Sequence, residues 1–566
     1  MGKFSIYLTT VKSLVLWSLC ILLLVFLIVN RQRGTGTFNW MTPLWADQAG
    51  YYVYLPSLFI YDFDAGSFPD NIEADTGDGF FLDLKSNKVI TRYSCGVALL
   101  QSPFFLIIHL LAGISGHSQD GFSGIYHQTP NLAALFYALI GFFFLRKFLR
   151  YYFSPAISFF VVAALFFGTN LYYYAIDSTG MSHIYSFGLF AMAAWLTQKL
   201  LSASSGQHYL YLAAWGVVFA LIVLVRPINV LIFPFLFCLG CSSFSELIRR
   251  VKRFATFKNF LLLAVITILI FLPQFVYWKY VSGSYIYYSY EGYGFTNWKT
   301  PKVIELWLSP NNGLFLYSPL YLAALSGVFL MIQNKIDNGW VICLTFFTLS
   351  YILASWYMVS FGCSFGSRNF VEYTVMFSLP MGYLFKYIGH LNRIRKIFFV
   401  TLIAVLVLFN LRLVYRYSRC FQGGDRDFAE YVSFLFTVRK YHEVLDLNDG
   451  NRLTTKDEFS KVLSVPLIKI YYLDFNKAVV RSKVAIEDKN SEALLVFAVV
   501  DKDSILYWDA VRLKDQIPAG KIHKLHSVKG EFMLPAPLPK SSDISTYIWN
   551  KNKELLTIDK FELFLE

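Results

Sequence analysis

Eleven times in its first 416 residues the chain passes through an apolar stretch of the length a bilayer demands. A hydrocarbon core needs about 20 mostly apolar residues per helix. Such stretches occupy 13–29, 129–147, 154–171, 183–201, 209–225, 228–240, 259–278, 313–332, 339–358, 369–388 and 396–416. In lipid the backbone must satisfy its own hydrogen bonds, so each stretch is predicted to be a helix. The run 228–240 is short and reads as tilted or re-entrant. Charged residues make up 15% of the chain, against about 25% in a soluble domain. The expectation is a mainly α polytopic membrane protein with about eleven transmembrane helices. The first stretch lacks the small-residue cleavage site of a secretory signal, so it is read as a retained helix.

The net charge of +13 is concentrated in short loops. Arg146, Lys147 and Arg150 form one cluster; Arg249, Arg250, Lys252, Arg253 and Lys258 a second; Arg393, Arg395 and Lys396 a third. Basic loops between apolar runs mark the cytoplasmic side of a membrane. With no zinc-finger spacing or other nucleic-acid motif, the partner implied is membrane lipid and not nucleic acid. A twelfth apolar stretch, Gly96 to Gly113, decides the topology. If it does not cross and the N-terminus (Lys3, Lys12) is cytoplasmic, all three basic clusters are cytoplasmic. If it crosses, the same start puts all three outside, and a twelve-helix arrangement needs the N-terminus outside. The segment 96–113 is therefore read as a helix lying along the outer interface. The seven cysteines are scattered and odd in number, implying no disulfide framework. Cys238 and Cys241 form a C-x-x-C pair beside a basic loop, without βαβ context, and are read as small helix residues.

From about Phe421 the charge density rises and short alternating strands appear, at 493–500, 505–511 and 555–564. The predicted organisation is a membrane domain over 1–420, with a first outer loop at about 30–128, and an outer β-sandwich over 421–566. In this arrangement Asp47, Asp177, His183, Arg226, Glu291, Lys299, Arg368 and Glu372 all fall near the outer ends of helices. Ionisable groups at such depths are costly unless paired or functional. Ordinary loop charges are the plain alternative to a common outer cavity.

The loop Trp45-Ala46-Asp47-Gln48-Ala49-Gly50-Tyr51-Tyr52 resembles the first outer loop of GT-C glycosyltransferases, the class that includes protein O-mannosyltransferases and lipid A aminoarabinose transferases. Members carry an acid shortly after the first helix, matched by Asp47. A proline-containing interfacial helix comes next in the class, matched loosely by Tyr93 to Phe105 with Gln101-Ser102-Pro103. A second acid beside the first and a Lys-Pro-Pro or His-Pro-Pro tripeptide, common in the class, are absent. Gly168-Thr169-Asn170-Leu171-Tyr172, Met181-Ser182-His183 and Ser364-Phe365-Gly366-Ser367-Arg368 also look like bacterial membrane glycosyltransferases. The segments Thr546-Tyr547-Ile548-Trp549-Asn550 and Ile558 to Phe561 look like the closing strands of a jelly roll related to carbohydrate-binding modules. A grip on an acceptor glycan there competes with plain core and turn roles.

The resemblance implies a bacterial inner-membrane enzyme that moves one sugar from a polyprenyl-phosphate carrier to a glycan, lipid or protein acceptor in the periplasm. Asp47 would be the general base for the acceptor hydroxyl; a helix-capping aspartate is the alternative. Arg226 and Arg368 would hold the departing lipid phosphate, against snorkelling arginines at the interface. Glu372, one helical turn beyond Arg368, is placed to pair with it. Asp177, His183 and Glu372 are candidate substrate ligands. Asp177 and His183 could join Asp47 around a divalent metal, although no local spacing fixes such a site. Tyr285, Tyr287, Tyr288, Tyr290 and Tyr293 suit either a sugar or an interfacial aromatic belt. Two other classes stay open: a flippase for lipid-linked sugar, which predicts pseudo-symmetric halves and midplane charges, and a non-catalytic envelope assembly protein.

Overall fold

The computed structural model describes residues 2–32, 42–290, 292–362, 364–417, 428–436, 441–446, 453–467, 470, 475, 477–502, 504–518, 522–534, 538–539 and 541–565. Glu291 and the expected domain boundary at 421 lie outside them. Two compact units result, Met1–Leu411 and Arg412–Glu566. The division comes before residue 420, inside the helix Arg393–Arg416. Arg412 Nη2 and Arg416 Nη1 donate to Leu435 O at 3.1 and 3.4 Å, which ties the last turn of that helix to the short helix Phe428–Phe436.

The first unit is a helical bundle. Gln128–Leu149, Pro155–Gly168, Ser182–Leu201, His208–Val225, Phe257–Ser282, Gly339–Ala354 and Arg393–Arg416 each fill one apolar stretch as a single helix. Three other stretches are broken. Pro227 and Pro234 remove backbone donors, and 228–240 becomes the 3₁₀ segment Pro227–Ile232 and the short helix Phe233–Phe237. Ser318-Pro319 separates Leu314–Tyr317 from Leu320–Gln333. The last opens with the 3₁₀ turn Arg368–Phe370 and becomes α-helical at Thr374. Among the described residues five helices are long and apolar enough to cross a membrane, including Phe257–Ser282 and Arg393–Arg416, and five shorter apolar helices accompany them.

Gly96–Ile114 is one of those five by length and composition. It packs along its length on the first loop: Ala98, Phe105, Ile108 and Ala112 share a core with Tyr52, Phe68, Phe122 and Tyr126. At its start Ser94 Oγ donates to Leu224 O, and Cys95 N donates to Gln274 Oε1 at 2.7 Å. Near its end His109 Nδ1 lies 2.6 Å from Tyr126 OH. Asn131, shortly beyond Tyr126, accepts from Thr179 Oγ1, which is close in sequence to His183. The start of Gly96–Ile114 therefore meets the C-terminal end of His208–Val225, its end meets the segment before Gln128–Leu149, and between them Gln101 Nε2 donates to Tyr185 OH and Phe104 packs on Phe136.

The basic clusters gather at the other helix ends. Arg253 Nη1 donates to Leu201 O at 3.3 Å, Tyr152 bonds Gln198, Gly240 N donates to Asn338 Oδ1 at 2.9 Å, and Phe153 stacks edgewise on Tyr383.

The second unit is an antiparallel β-sandwich. One sheet runs Leu463–Pro466, Asp543–Trp549, Leu494–Asp501, Ser504–Arg512. The other runs Tyr441–Asp446, Leu556–Leu565, Lys477–Ile486, His526–Met533, with Leu453–Thr455 also paired to Leu556–Leu565. Alternate residues of both sheets point into one core, where Phe497 stacks on Phe532 at 5.1 Å.

Candidate functional site

Asp47 is the first residue of the short helix Asp47–Tyr52. The seat beneath it is built backbone against backbone. A Cβ on Gly79 would lie 2.0 Å from Ala46 O, and one on Gly50 would lie 2.3 Å from Gly79 O. Thr91 Oγ1 closes the seat by donating to Gly50 O at 2.9 Å. The carboxylate faces two partners. Tyr93 OH donates to Oδ1, and Arg368 Nη2 lies 2.9 Å from Oδ2, with the aspartate side chain 30% exposed and the arginine 16%. Burial alone would raise the Asp47 carboxyl, but the guanidinium of Arg368 and the Tyr93 hydroxyl outweigh it. Together they hold Asp47 below its ordinary value. Burial and the Asp47 charge push the Tyr93 hydroxyl well above its own.

Arg368 is aimed by two of the segments that drew attention in the sequence. In Ser364-Phe365-Gly366-Ser367-Arg368, Gly366 takes φ +64°, a turn that favours glycine. Phe365 is fully buried between Tyr173 and Tyr317. Asn170, from the run 168–172, donates to Ser367 O at 3.0 Å, and Tyr321 OH donates to Asn170 Oδ1 and Phe370 O.

Arg226 ends the helix His208–Val225 in extended conformation because Pro227 comes next. Its Nη1 donates to Glu372 Oε1 at 3.0 Å, and its Nη2 donates to Asn369 Oδ1. Glu372 is fully buried and also lies 2.9 Å from His183 Nδ1. The expected pairing of Glu372 with Arg368 therefore gives way to a different one. Residues 368–370 form a 3₁₀ turn, and the α-helix starts only at Thr374, so the two side chains do not share a helical face. Asp177 pairs with Arg31 at the end of the first helix. Asp47, Asp177 and His183 each have a separate partner. Among the described residues no group of three His, Cys, Asp or Glu side chains is placed to hold a metal ion.

Asp47, His183, Arg226 and Arg368 line one cavity of about 700 Å³, and Asp177 does not. Sequence reasoning missed Arg92, Tyr93 and Asn369, which line it too. Arg92 sits over the Tyr293 ring at 5.7 Å. Of the five tyrosines near 290, four line the cavity and Tyr285 does not. Asn369 is buried, and among the described residues neither its Nδ2 nor the Nε of Arg368 has a hydrogen-bond partner. Away from this polar end the wall is apolar, formed by Ile228, Val230, Trp278, Ile352 and Leu353. Such a space suits an amphiphile with one anionic group: cations and a spare amide donor at one end, hydrocarbon along the other.

No family model matches the sequence, and no curated protein matches it. Solved structures are similar at low identity. ArnT from Cupriavidus metallidurans in the apo state aligns over 75% of this chain and 68% of its own, at 10% identity and a TM-score of 0.46. The same protein bound to undecaprenyl phosphate gives 11% identity and 0.45 over the same shares. The oligosaccharyltransferase AglB from Archaeoglobus fulgidus, in complex with an inhibitory peptide and a dolichol-phosphate, covers 71% of this chain and 55% of its own. Its identity is 12% and its TM-score 0.41.

Proposed function

We propose that this chain is a GT-C glycosyltransferase of the bacterial inner membrane, transferring a sugar from a polyprenyl-phosphate carrier to an acceptor hydroxyl at the periplasmic face. One observation carries the reading. Asp47, Arg226 and Arg368 come from three distant segments and meet in a cavity whose other wall is apolar. Arg226 and Arg368, with Arg92 beside them, receive the phosphodiester, and the apolar wall receives the start of the isoprenoid. The acceptor hydroxyl gives its proton to an Asp47 oxygen as its own oxygen bonds the anomeric carbon. The bond from that carbon to the phosphate oxygen breaks, and its electron pair leaves on the phosphate. The arginines stabilise that charge. Glu372 positions Arg226 and is shielded from the cavity.

With the cavity empty, Asp47 is a weak base, because Arg368 and Tyr93 hold its oxygens. A phosphate that takes the donors of Arg368 frees one of them. Carrier binding therefore readies the base, and the carrier binds before the acceptor reacts. Transfer from a radiolabelled polyprenyl-phosphate sugar in membranes tests the reading. Asp47→Asn should accumulate normally and lose on the order of a hundred-fold or more in rate. The control Asp62→Asn, in the same loop, should lose far less. Near wild-type transfer by Asp47→Asn would end the assignment, and movement of lipid-linked sugar without bond formation would replace it with a flippase.

A further inference from the structure

The helix Phe244–Phe254 takes no part in the cavity. Ser243 caps it by accepting from Glu246 N, and Glu246 accepts in return from Ser242 N and Oγ. None of its 11 residues is buried. Phe244, Leu247, Ile248, Val251 and Phe254 recur at helical spacing and form one apolar face of about 120°. Phe244 is 75% exposed, and Ile248 and Val251 are also exposed. Arg249, Arg250, Lys252 and Arg253 occupy the opposite arc, with Glu246 the one acid in the helix.

Two of these cations fix where the helix sits. Arg250 Nη1 donates to Phe237 O and Leu239 O, both at 2.7 Å, and Arg253 Nη1 donates to Leu201 O at 3.3 Å. At the other side Asn259 Nδ2, in the first turn of Phe257–Ser282, donates to Phe254 O at 3.1 Å. The helix is thereby tethered at the basic end of the bundle, between two apolar stretches. Among the described residues Arg249 and Lys252 make no ion pair.

We infer that Phe244–Phe254 is an in-plane anchor for anionic phospholipid: its apolar face enters the acyl boundary, and Arg249 and Lys252 meet headgroup phosphates. Apolar side chains this exposed on a helix joined to bundle helices find their cover in lipid. The surplus of fixed positive charge selects anionic headgroups over zwitterionic ones.

Purified full-length protein in detergent is titrated with phosphatidylglycerol and, separately, with phosphatidylcholine, and bound lipid is counted by native mass spectrometry. The double variant Arg249→Gln/Lys252→Gln should weaken phosphatidylglycerol binding about 30-fold and leave phosphatidylcholine unchanged. The charge-matched control Arg393→Gln/Arg395→Gln should change it little. Phe244→Ser/Val251→Ser should also weaken phosphatidylglycerol binding, and millimolar inorganic phosphate should not displace the lipid. Since no side chain of the helix is buried, melting temperatures should stay at the wild-type value. Equal loss in the control pair would mean diffuse charge attraction and overturn the assignment. Displacement by inorganic phosphate, or indifference to the serine pair, would make it a simple anion site and overturn it equally.

Discussion

Carrier affinity in the Asp47→Asn variant is the sharpest test of how the cavity works, because the expected sign is unusual for a lost active-site charge. In the wild type the phosphate of the carrier must draw Arg368 away from Asp47. The pair is partly desolvated, with exposures of 16% and 30%. Hydrogen bonds to charged groups contribute about 1.5–3 kcal/mol when shielded, and exposed pairs under about 1 kcal/mol. A pair of intermediate exposure opposes carrier binding by about 1.5 kcal/mol. Asparagine keeps the shape but not the charge, so most of that opposition disappears. Polyprenyl phosphate should bind about tenfold tighter to Asp47→Asn, while transfer falls on the order of a hundred-fold or more. Equilibrium binding of the carrier to purified protein, with transfer measured on the same preparation, gives both numbers. Weaker carrier binding in the variant would refute the idea that Asp47 and the phosphate compete for Arg368.

The pH dependence comes from the same pair. Because the folded Asp47 carboxyl is lowered, its stabilising contribution is complete above the unfolded value of about 3.9 and is lost only as pH falls through the lower folded value. The kcat/KM profile, which reports the free enzyme, should show no acid limb from Asp47 above about pH 5, while the limb in kcat should lie higher, since the bound carrier removes Arg368. Tyr93→Phe removes one donor to Asp47 and should raise the kcat/KM limb with less than about a tenfold loss of rate, read from pH–rate profiles. Arg226→Ala should weaken carrier binding more than it lowers protein abundance, and Arg226→Lys should restore binding only partly, as a titration with polyprenyl phosphate would show. Reporter fusions after Arg419 and within Arg249–Arg253 should give opposite sidedness, and equal sidedness would remove the proposed orientation.

The helices were legible because lipid imposes length and apolarity on every spanning segment. Their interruptions were less so. The break at Ser318-Pro319 falls inside the run 313–332, and the 3₁₀ turn at Arg368 begins just before the run 369–388. Asp47, His183, Arg226 and Arg368 stood out because charge and imidazole are expensive beside apolar runs. Pairing was another matter. Which acid meets which base depends on segments far apart in sequence, such as Glu372 with Arg226 or Arg31 with Asp177. Tyr93 and Asn369 gave no signal because a neutral tyrosine or amide is unremarked in an aromatic, polar loop. Arg92 resembled any loop cation until the fold set it at the cavity.

The glycine-lined seat of Asp47 sets a limit on how this molecule can diversify. A side chain in a packed core can be exchanged for another of similar volume, and its neighbours adjust. At Gly50 and Gly79 the neighbour is main chain, at 2.3 and 2.0 Å from any added methyl group, and main chain has no rotamers with which to yield. The carboxylate side of the cavity is thus rigid in both shape and position. Variation in what the cavity accepts has to come from the facing surfaces, the tyrosine loop near 290 and the apolar wall around Ile228 and Trp278. A library aimed at new donors or acceptors would be placed there, with residues 46–50 and 77–79 left untouched.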